Sequence, residues 1–373
     1  MKICIIGGGN IGTAMAITAA SFGQAEVSML TSKPKKWCLK LSMIDPISNE
    51  YTEGTLVAAT SDYAQALESC DMVLIAQPSF MVADTLKKLN LYLKSPVMVG
   101  VIPGTGGVEY AAGGLLKNGH TLFGVDRVPC IARLKQYGKS VESTPKKSIR
   151  LCAIPGGQTT YICELFSRLF KVECHPVKNY LTITLTPSNP ILHTVRLFSL
   201  FHNYLQTEWI TNPMFYSDWD DAASELLLAC DRELITLCST LSDIPIEVIP
   251  LSVHYEANTV KDMTKKLRSL TALKNIRSPM LLSNGKCILD LSSRYFTEDF
   301  PYGLCIIKGF ASVCGVSVPN MDLILRWYEQ LTGVQYFNNN AFSGADLRNT
   351  GIPQNYGIHT FSDVYHFYTD ILK

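Results

Sequence analysis

The sequence has almost no net charge: 33 lysines and arginines against 32 acids leave +1 over 373 residues. That balance gives no electrostatic reason to expect a nucleic acid or an anionic membrane surface as partner. No run of about 18 apolar residues occurs, so no membrane span is expected. Twelve cysteines are present but none forms a C-x-x-C pair, and the seven histidines are equally scattered. This spacing argues against a zinc site and against a disulfide framework, and no metal is expected. Reduced, mostly buried thiols fit a cytoplasmic protein. There is no internal repeat and no low-complexity tract. What is plentiful is apolar material: hydrophobic residues make up 47% and charged residues 17%, enough for a large core and for two domains.

The most informative stretch is residues 3–12, Ile-Cys-Ile-Ile-Gly-Gly-Gly-Asn-Ile-Gly. An apolar strand enters a Gly-x-Gly-x-x-Gly set at Gly7, Gly9 and Gly12, and a helix-compatible segment leaves it. In a dinucleotide-binding turn, Gly7 allows the bend, Gly9 lets the backbone approach a pyrophosphate and Gly12 lets helix and strand pack closely. Asn10 and Ile11 open the helix, whose free N–H groups and positive dipole end suit phosphates. Lys2 before an apolar stretch resembles the start of a signal peptide, but three consecutive glycines and the lack of an apolar h-region argue against one.

The first half alternates strand and helix signals. Strands are expected at 26–30, 72–76, 97–102 and 122–125, and helices at 34–41, 62–69, 80–93 and 106–116. Residues 139–142 and 148–154 read as a paired late extension. Alternation of this kind implies a mostly parallel, helix-covered sheet. After about Val177 the pattern turns helical, with helices expected at 190–202, 218–241, 253–270, 298–314, 320–331 and 361–372. The expected organisation is therefore an α/β Rossmann-type domain over 1–177, followed by an all-α domain over 178–373. No dimer signature is legible, and a homodimer stays open.

NAD sites usually place an acid after the second strand, to hold the ribose 2′-hydroxyl. Here Leu30 is followed by Thr31, Ser32 and Lys33, then by Lys35 and Lys36. Hydroxyls and ammonium groups suit a 2′-phosphate, so NADP(H) is favoured over NAD(H). A solvated basic loop is the plainer alternative. FAD lacks a second flavin signature. Gln77 and Pro78 follow an expected strand, at the carboxyl edge where ligands bind. Residues 103–107, with Thr105, follow the next strand.

Three segments of the second half belong together: Ser-Asn-Pro-Ile-Leu-His-Thr at 188–194, Arg-Tyr-Phe-Thr-Glu-Asp-Phe-Pro-Tyr-Gly-Leu at 294–304, and Gly-Ile-Pro at 351–353. With the N-terminal glycine motif, this set resembles the octopine/nopaline (opine) dehydrogenase family over essentially the whole chain. The resemblance implies reductive condensation of an amino acid with an α-keto acid, usually pyruvate or 2-oxoglutarate, using NADH or NADPH. It places the family's catalytic pair on His193 and Asp299 and its substrate-carboxylate arginine on Arg294. Octopine-type relatives tend to have Gln where Thr105 stands and Thr where Arg127 stands. An extra cation at Arg127 suits a more acidic substrate, or pairs with Asp126 or another nearby acid.

Taken alone, these residues also have plainer readings. Asn189 is placed to cap a helix whose first position is Pro190, with His193 in its first turn. A lone histidine on so apolar a helix is more often a packed core residue. Thr297 is placed to cap a second helix with Glu298 and Asp299 in its first turn, where carboxylates are favourable without any catalysis. Arg294 fits a surface or interdomain ion pair as well as a substrate anion. Trp209, Trp219 and Tyr302 are candidate walls of an amino-acid pocket. Within the resemblance, a histidine paired with an aspartate supplies an acid/base group working near neutral pH.

Three alternatives remain. One is a glycerol-3-phosphate or ketopantoate reductase relative, which needs a catalytic lysine; Lys178 and Lys261 are available but sit in no recognised motif. Another is a non-catalytic nucleotide-binding sensor. The third is an opine-type metallophore synthase acting on a larger amine.

Overall fold

A computed structural model describes residues 1–21 and 25–371. The chain divides into two compact units, Met1–Thr184 with Phe367–Lys373, and Leu185–His366. The first unit therefore runs past the boundary expected at 177/178 and takes back the end of the chain. The reason is local. The Leu181–Thr184 helix is wholly buried, and its Thr184 hydroxyl donates to the buried carboxylate of Glu109. Tyr368 donates to the same carboxylate at 2.6 Å.

The first unit is built on β1 (Lys2–Ile6), with β2 (Glu26–Leu30) on one side. Two further strands, β3 (Lys40–Ile44) and β4 (Tyr51–Thr55), leave this sheet, and β5 (Ala58–Thr60) returns to it beside β2. On the other side of β1 come β6 (Met72–Ile75), β7 (Met98–Val101) and β8 (Thr121–Val125), all parallel. After β9 (Cys130–Gln136) and β10 (Ser140–Pro145) the chain re-enters as β11 (Ser148–Ile154), antiparallel to β8, and β12 (Glu173–Pro176) closes that edge. The eight-stranded order is β12-β11-β8-β7-β6-β1-β2-β5. Central strands such as β6 are buried at every residue, as a parallel sheet covered on both faces requires. The chain leaves β1 to one side for β2 and to the other for β6. That reversal creates a crevice at the carboxyl ends of β1 and β6.

A second sheet, β4-β3-β10-β9, was not expected as a sheet, and only β10 overlaps an expected extension, at 139–142. The helix expected at 34–41 is only a 3₁₀ turn, Pro34–Lys36. Trp37 then turns extended and the chain continues into β3. Nor do residues 139–142 and 148–154 pair with each other: β10 joins β9 and β3, while β11 joins the main sheet. Burial explains the sorting. Strand β11 is almost continuously buried, whereas β10 alternates and needs only one covered face. The helix expected at 106–116 is two short helices, Val108–Ala111 and Gly113–Lys117. The Thr159–Phe170 helix and strands β4, β9 and β12 were not expected.

The second unit is helical, with one hairpin, β13 (Met280–Ser283) and β14 (Lys286–Leu289). Its turn, Asn284-Gly285, takes φ of +50° and +76°; an Asn-Gly pair between apolar runs is a strong short-range hairpin signal. The principal helices are Ser188–Phe201, Asp221–Thr240, Val260–Arg268, Cys305–Val313 and Pro319–Thr332. The segment expected as one helix at 253–270 is broken at Glu256, with φ of +52°. The final helix runs Phe361–His366 before a π-helical turn, Phe367–Ile371; Leu372, its expected end, lies outside the described residues. Among the described residues, no helix is long and apolar enough to cross a membrane.

Candidate active site

In the first unit, the turn after β1 has the tight geometry of a phosphate-binding loop. Gly7 takes φ +115°, and a Cβ there would lie 2.4 Å from the Ala76 carbonyl oxygen. A Cβ on Gly12 would lie 1.8 Å from the Gly7 oxygen, so helix and turn touch backbone to backbone. A Cβ on Gly9, by contrast, would meet nothing within 4 Å among the described residues. The open position therefore lies between two closed ones, at the start of the Asn10–Ser21 helix, where amide N–H groups and the helix dipole favour an anion. These residues fit a dinucleotide.

The surrounding candidates divide into committed and exposed groups. Asn10 turns its side chain away to accept the Leu134 amide at 2.9 Å, so only its backbone faces the turn. Thr31 is buried and accepts the Lys33 amide at 3.3 Å, while Ser32, Lys33 and Lys36 are exposed beside it. Gln77 accepts the Thr85 hydroxyl at 2.7 Å, and Pro78 occupies the N-cap position of the Ser79–Tyr92 helix. Thr105 and Arg127 are half-buried, in the segments after β7 and β8. The acid beside Arg127 is engaged elsewhere: Asp126 takes both the Arg150 amide, at 2.9 Å, and its guanidinium, at 3.0 Å.

In the second unit, His193 Nδ1 lies 2.8 Å from Asp299 Oδ2. Both side chains are largely enclosed, at 14% and 12% exposure. His193 projects from the Ser188–Phe201 helix. Asp299 stands at the N-cap position of a π-helical segment, Phe300–Leu304, closed by the Leu304 amide on the Asp299 carbonyl at 2.8 Å. Gly303 lets the two meet: a Cβ there would lie 3.1 Å from Pro190, so a side chain would push the π segment off the His193 helix. The Gly351 amide donates to the Pro301 carbonyl at 3.0 Å, which joins the third motif to the second.

Two expected caps are absent. The helix begins at Ser188 behind Pro187, so Asn189 lies exposed within its first turn and caps nothing. Thr297 ends a short helix, Arg294–Thr297, and donates back to the Ser293 carbonyl. The proline at 301, which lacks an N–H, is accommodated by the π geometry rather than by a fresh α-helical start.

Around His193 stands an aromatic wall absent from the sequence reading. The Tyr216 hydroxyl lies 3.2 Å from His193 Nε2, and Phe215 and Tyr295 meet the imidazole edge-on at 5.7 and 4.7 Å between centroids. Tyr295 falls inside the 294–304 motif. Tyr216 belongs to an irregular segment with no periodic signal. Arg196, one turn along from His193, fixes that segment by donating to the carbonyls of Phe215 at 2.6 Å and Met214 at 3.1 Å. Burial lowers the Arg196 pKa to about 10. Burial also raises the Asp299 pKa, against the stabilising charge of His193, and pushes Tyr216 far above the usual phenol range.

Arg294 is exposed and pairs through Nε with Glu298, one turn away. Tyr302 is half-buried in the π segment. Trp219 is fully enclosed, its indole N–H donating to Ser224 at 3.0 Å, so it is core rather than pocket wall. Trp209 packs on Phe201 at 5.1 Å with its indole nitrogen buried.

Comparison with known proteins agrees with this fold. Residues 176–332 match the NAD/NADP octopine/nopaline dehydrogenase α-helical domain, and residues 2–117 match the N-terminus of NAD-dependent glycerol-3-phosphate dehydrogenase. Octopine dehydrogenase of Pecten maximus is 25% identical, with 98% of each chain covered. Tauropine dehydrogenase of Arabella iricolor is also 25% identical, covering 97% of this chain and 99% of that one. An octopine dehydrogenase structure with NADH and L-arginine has the same fold, with a TM-score of 0.87 at 22% identity over 98% of each chain. The chain thus carries an octopine/nopaline dehydrogenase α-helical domain over residues 176–332, behind an NAD-dependent dehydrogenase type of N-terminal domain, and is similar over nearly its whole length to octopine and tauropine dehydrogenases.

Proposed function

We propose that this protein is an opine dehydrogenase working in the cytoplasm. It joins the amino group of an amino acid to an α-keto acid, pyruvate or 2-oxoglutarate, and reduces the resulting imine to a secondary amine. NADPH is the favoured reductant and NADH the second. The observation that carries this reading is the 2.8 Å contact between His193 and Asp299, within a helical domain of this family.

A bound nicotinamide would supply the hydride, which, added to the carbon of the protonated imine, gives the neutral secondary amine. The chain's own residues supply the rest. With Asp299 accepting from Nδ1–H, the imidazole is held in the tautomer that leaves Nε2 basic. Nε2 then takes the proton released as the amine attacks the carbonyl, and returns it as water departs. Asp299 stabilises the imidazolium between the two events. Arg294 Nε is engaged by Glu298, and its exposed Nη donors are assigned to one substrate carboxylate, where a planar fork suits the anion. Thr105, Arg127, Asn189 and Tyr302 are proposed to contact the substrates. Gly7, Gly9, Gly12, the Asn10 and Ile11 amides, Thr31, Ser32, Lys33, Lys36, Gln77 and Pro78 are proposed to contact the cofactor.

The test is NADPH and NADH oxidation by the purified chain, with each keto acid and a panel of amino acids. Oxidation that requires both substrates is expected. Amine-independent oxidation would overturn the proposal in favour of a keto-acid reductase.

A further inference from the structure

Thr31 ends the stretch that begins with β2, the place from which a dinucleotide site reads the adenosine ribose. A second hydroxyl stands there. Tyr137, beyond the end of β9 in the β9–β10 hairpin, brings its oxygen to 3.1 Å from Thr31 Oγ1. The same oxygen and the Trp37 indole lie over the glycine turn: a Cβ on Gly8 would come within 3.1 Å of Tyr137 Oη and 2.6 Å of Trp37 Cζ2. The two rings meet edge-on, 5.8 Å apart at 78°. Trp37 is buried, and Tyr137 keeps 37% of its surface.

The hairpin is fixed at both ends. The Cys38 amide donates to the Gly138 carbonyl at 2.9 Å, and the Leu134 amide donates to Asn10. Gly138, at φ +68°, permits the approach, since a Cβ there would lie 2.3 Å from the Lys36 oxygen. The second sheet thus carries a tyrosine to the edge of the nucleotide turn.

We infer that Tyr137 is a specificity-determining residue of the cofactor site, its hydroxyl donating to the 2′-phosphate of NADPH while Trp37 holds the ring in place. This rests on the reading of the glycine turn as an NAD(P)H site. Thr31 already accepts the Lys33 amide. With the Thr31 proton directed onto Tyr137, the Tyr137 O–H is left to donate outward. A phosphate accepts such a donor in a charge-assisted bond, roughly twice as strong as the neutral bond a ribose hydroxyl would make. The exposed ammonium groups of Lys33 and Lys36 stand on the adjoining turn, where an NAD site has a carboxylate that would repel the phosphate.

The experiment is titration of NADPH and NADH into the full chain and its Tyr137→Phe variant, following nucleotide fluorescence. Phenylalanine keeps the ring edge-on to Trp37 and gives up only the Thr31 contact, so the melting temperature should fall by no more than a few degrees. NADPH should bind about tenfold more weakly and NADH less than about threefold more weakly. Thr31→Val, which frees the tyrosine, should act in the same direction. Tyr137→Phe with no effect, or with equal effects on both nucleotides, overturns the inference and leaves the cofactor site standing. A wild-type chain that binds neither nucleotide overturns the site itself, and the inference with it.

Discussion

At the residue scale the second unit presents a chain of three groups, Asp299 to His193 to Tyr216. Replacing Asp299 by Asn keeps the volume but removes the anion that fixes the imidazole and stabilises its charged form. General acid–base groups contribute about 10² to 10⁴ in rate. The Asp299→Asn variant should therefore lose at least about a hundredfold in kcat, with the KM of both substrates nearly unchanged. His193→Ala should lose as much, and near-normal turnover in both would sink the assignment. Tyr216→Phe leaves the aromatic wall intact and removes only the contact to Nε2; a drop of about tenfold in kcat is expected. Steady-state kinetics with both substrates varied measures all three. The pairing of His193 with Asp299 was legible because both sit in contiguous motifs. Tyr216 was not, because its position depends on a buried arginine gripping the carbonyls of an irregular segment, a relation that leaves no spacing in the sequence.

The same contrast holds at the scale of elements. Strands buried on both faces, such as β1 and β6, were readable as apolar runs, and the long helices of the second unit were readable by period, whereas the amphipathic Thr159–Phe170 helix of the first unit was missed. Of the half-buried strands of the second sheet only β10 was anticipated, since short alternating stretches carrying Lys, Glu and Ser resemble loop. The π segment was also hidden: Thr-Glu-Asp before Pro301 has the look of a helix start, and the close approach of Gly303 to Pro190 that accompanies the wider turn leaves no spacing in the sequence. One element-level contact has a measurable pH dependence. Glu109 is fully buried, accepts from Thr184 and Tyr368, and its pKa is raised by burial from 4.5 to about 7. The folded state therefore holds this proton more tightly than the unfolded one. Its contribution to stability is fully present below about pH 4.5 and is lost as pH rises through about 7. The shift corresponds to about 3 kcal/mol. Glu109→Gln cannot ionise, so thermal melts from pH 5 to 8 should fall less steeply for the variant than for wild type. Parallel curves would show that Glu109 stays ionised in the folded protein.

For the whole molecule, the order of a nucleotide unit followed by a helical unit was legible from the change of period near Val177. The return of the last turn to the first unit was not, because a single tyrosine on a buried acid has no periodic trace. The nucleotide unit makes a prediction about the entire chain. A ligand that binds only the folded state stabilises it by about 2.7 kcal/mol at one hundred times its Kd. For domains of 150–250 residues each kcal/mol moves Tm by about 2–4 °C, so saturating NADPH should raise the melting temperature by about 5 °C or more. The glycine turn decides where that energy arises. A valine at position 12 would force its Cβ to within 1.8 Å of the Gly7 oxygen, which must displace either the turn or the Asn10–Ser21 helix and so destroy the open cradle at Gly9. Gly12→Val will also lower the melting temperature of the ligand-free protein, so the quantity to compare is each protein's own shift on adding NADPH. Loss of the shift in the variant places the cofactor at the turn after β1, whereas an undiminished shift would mean that the dinucleotide binds elsewhere on the chain.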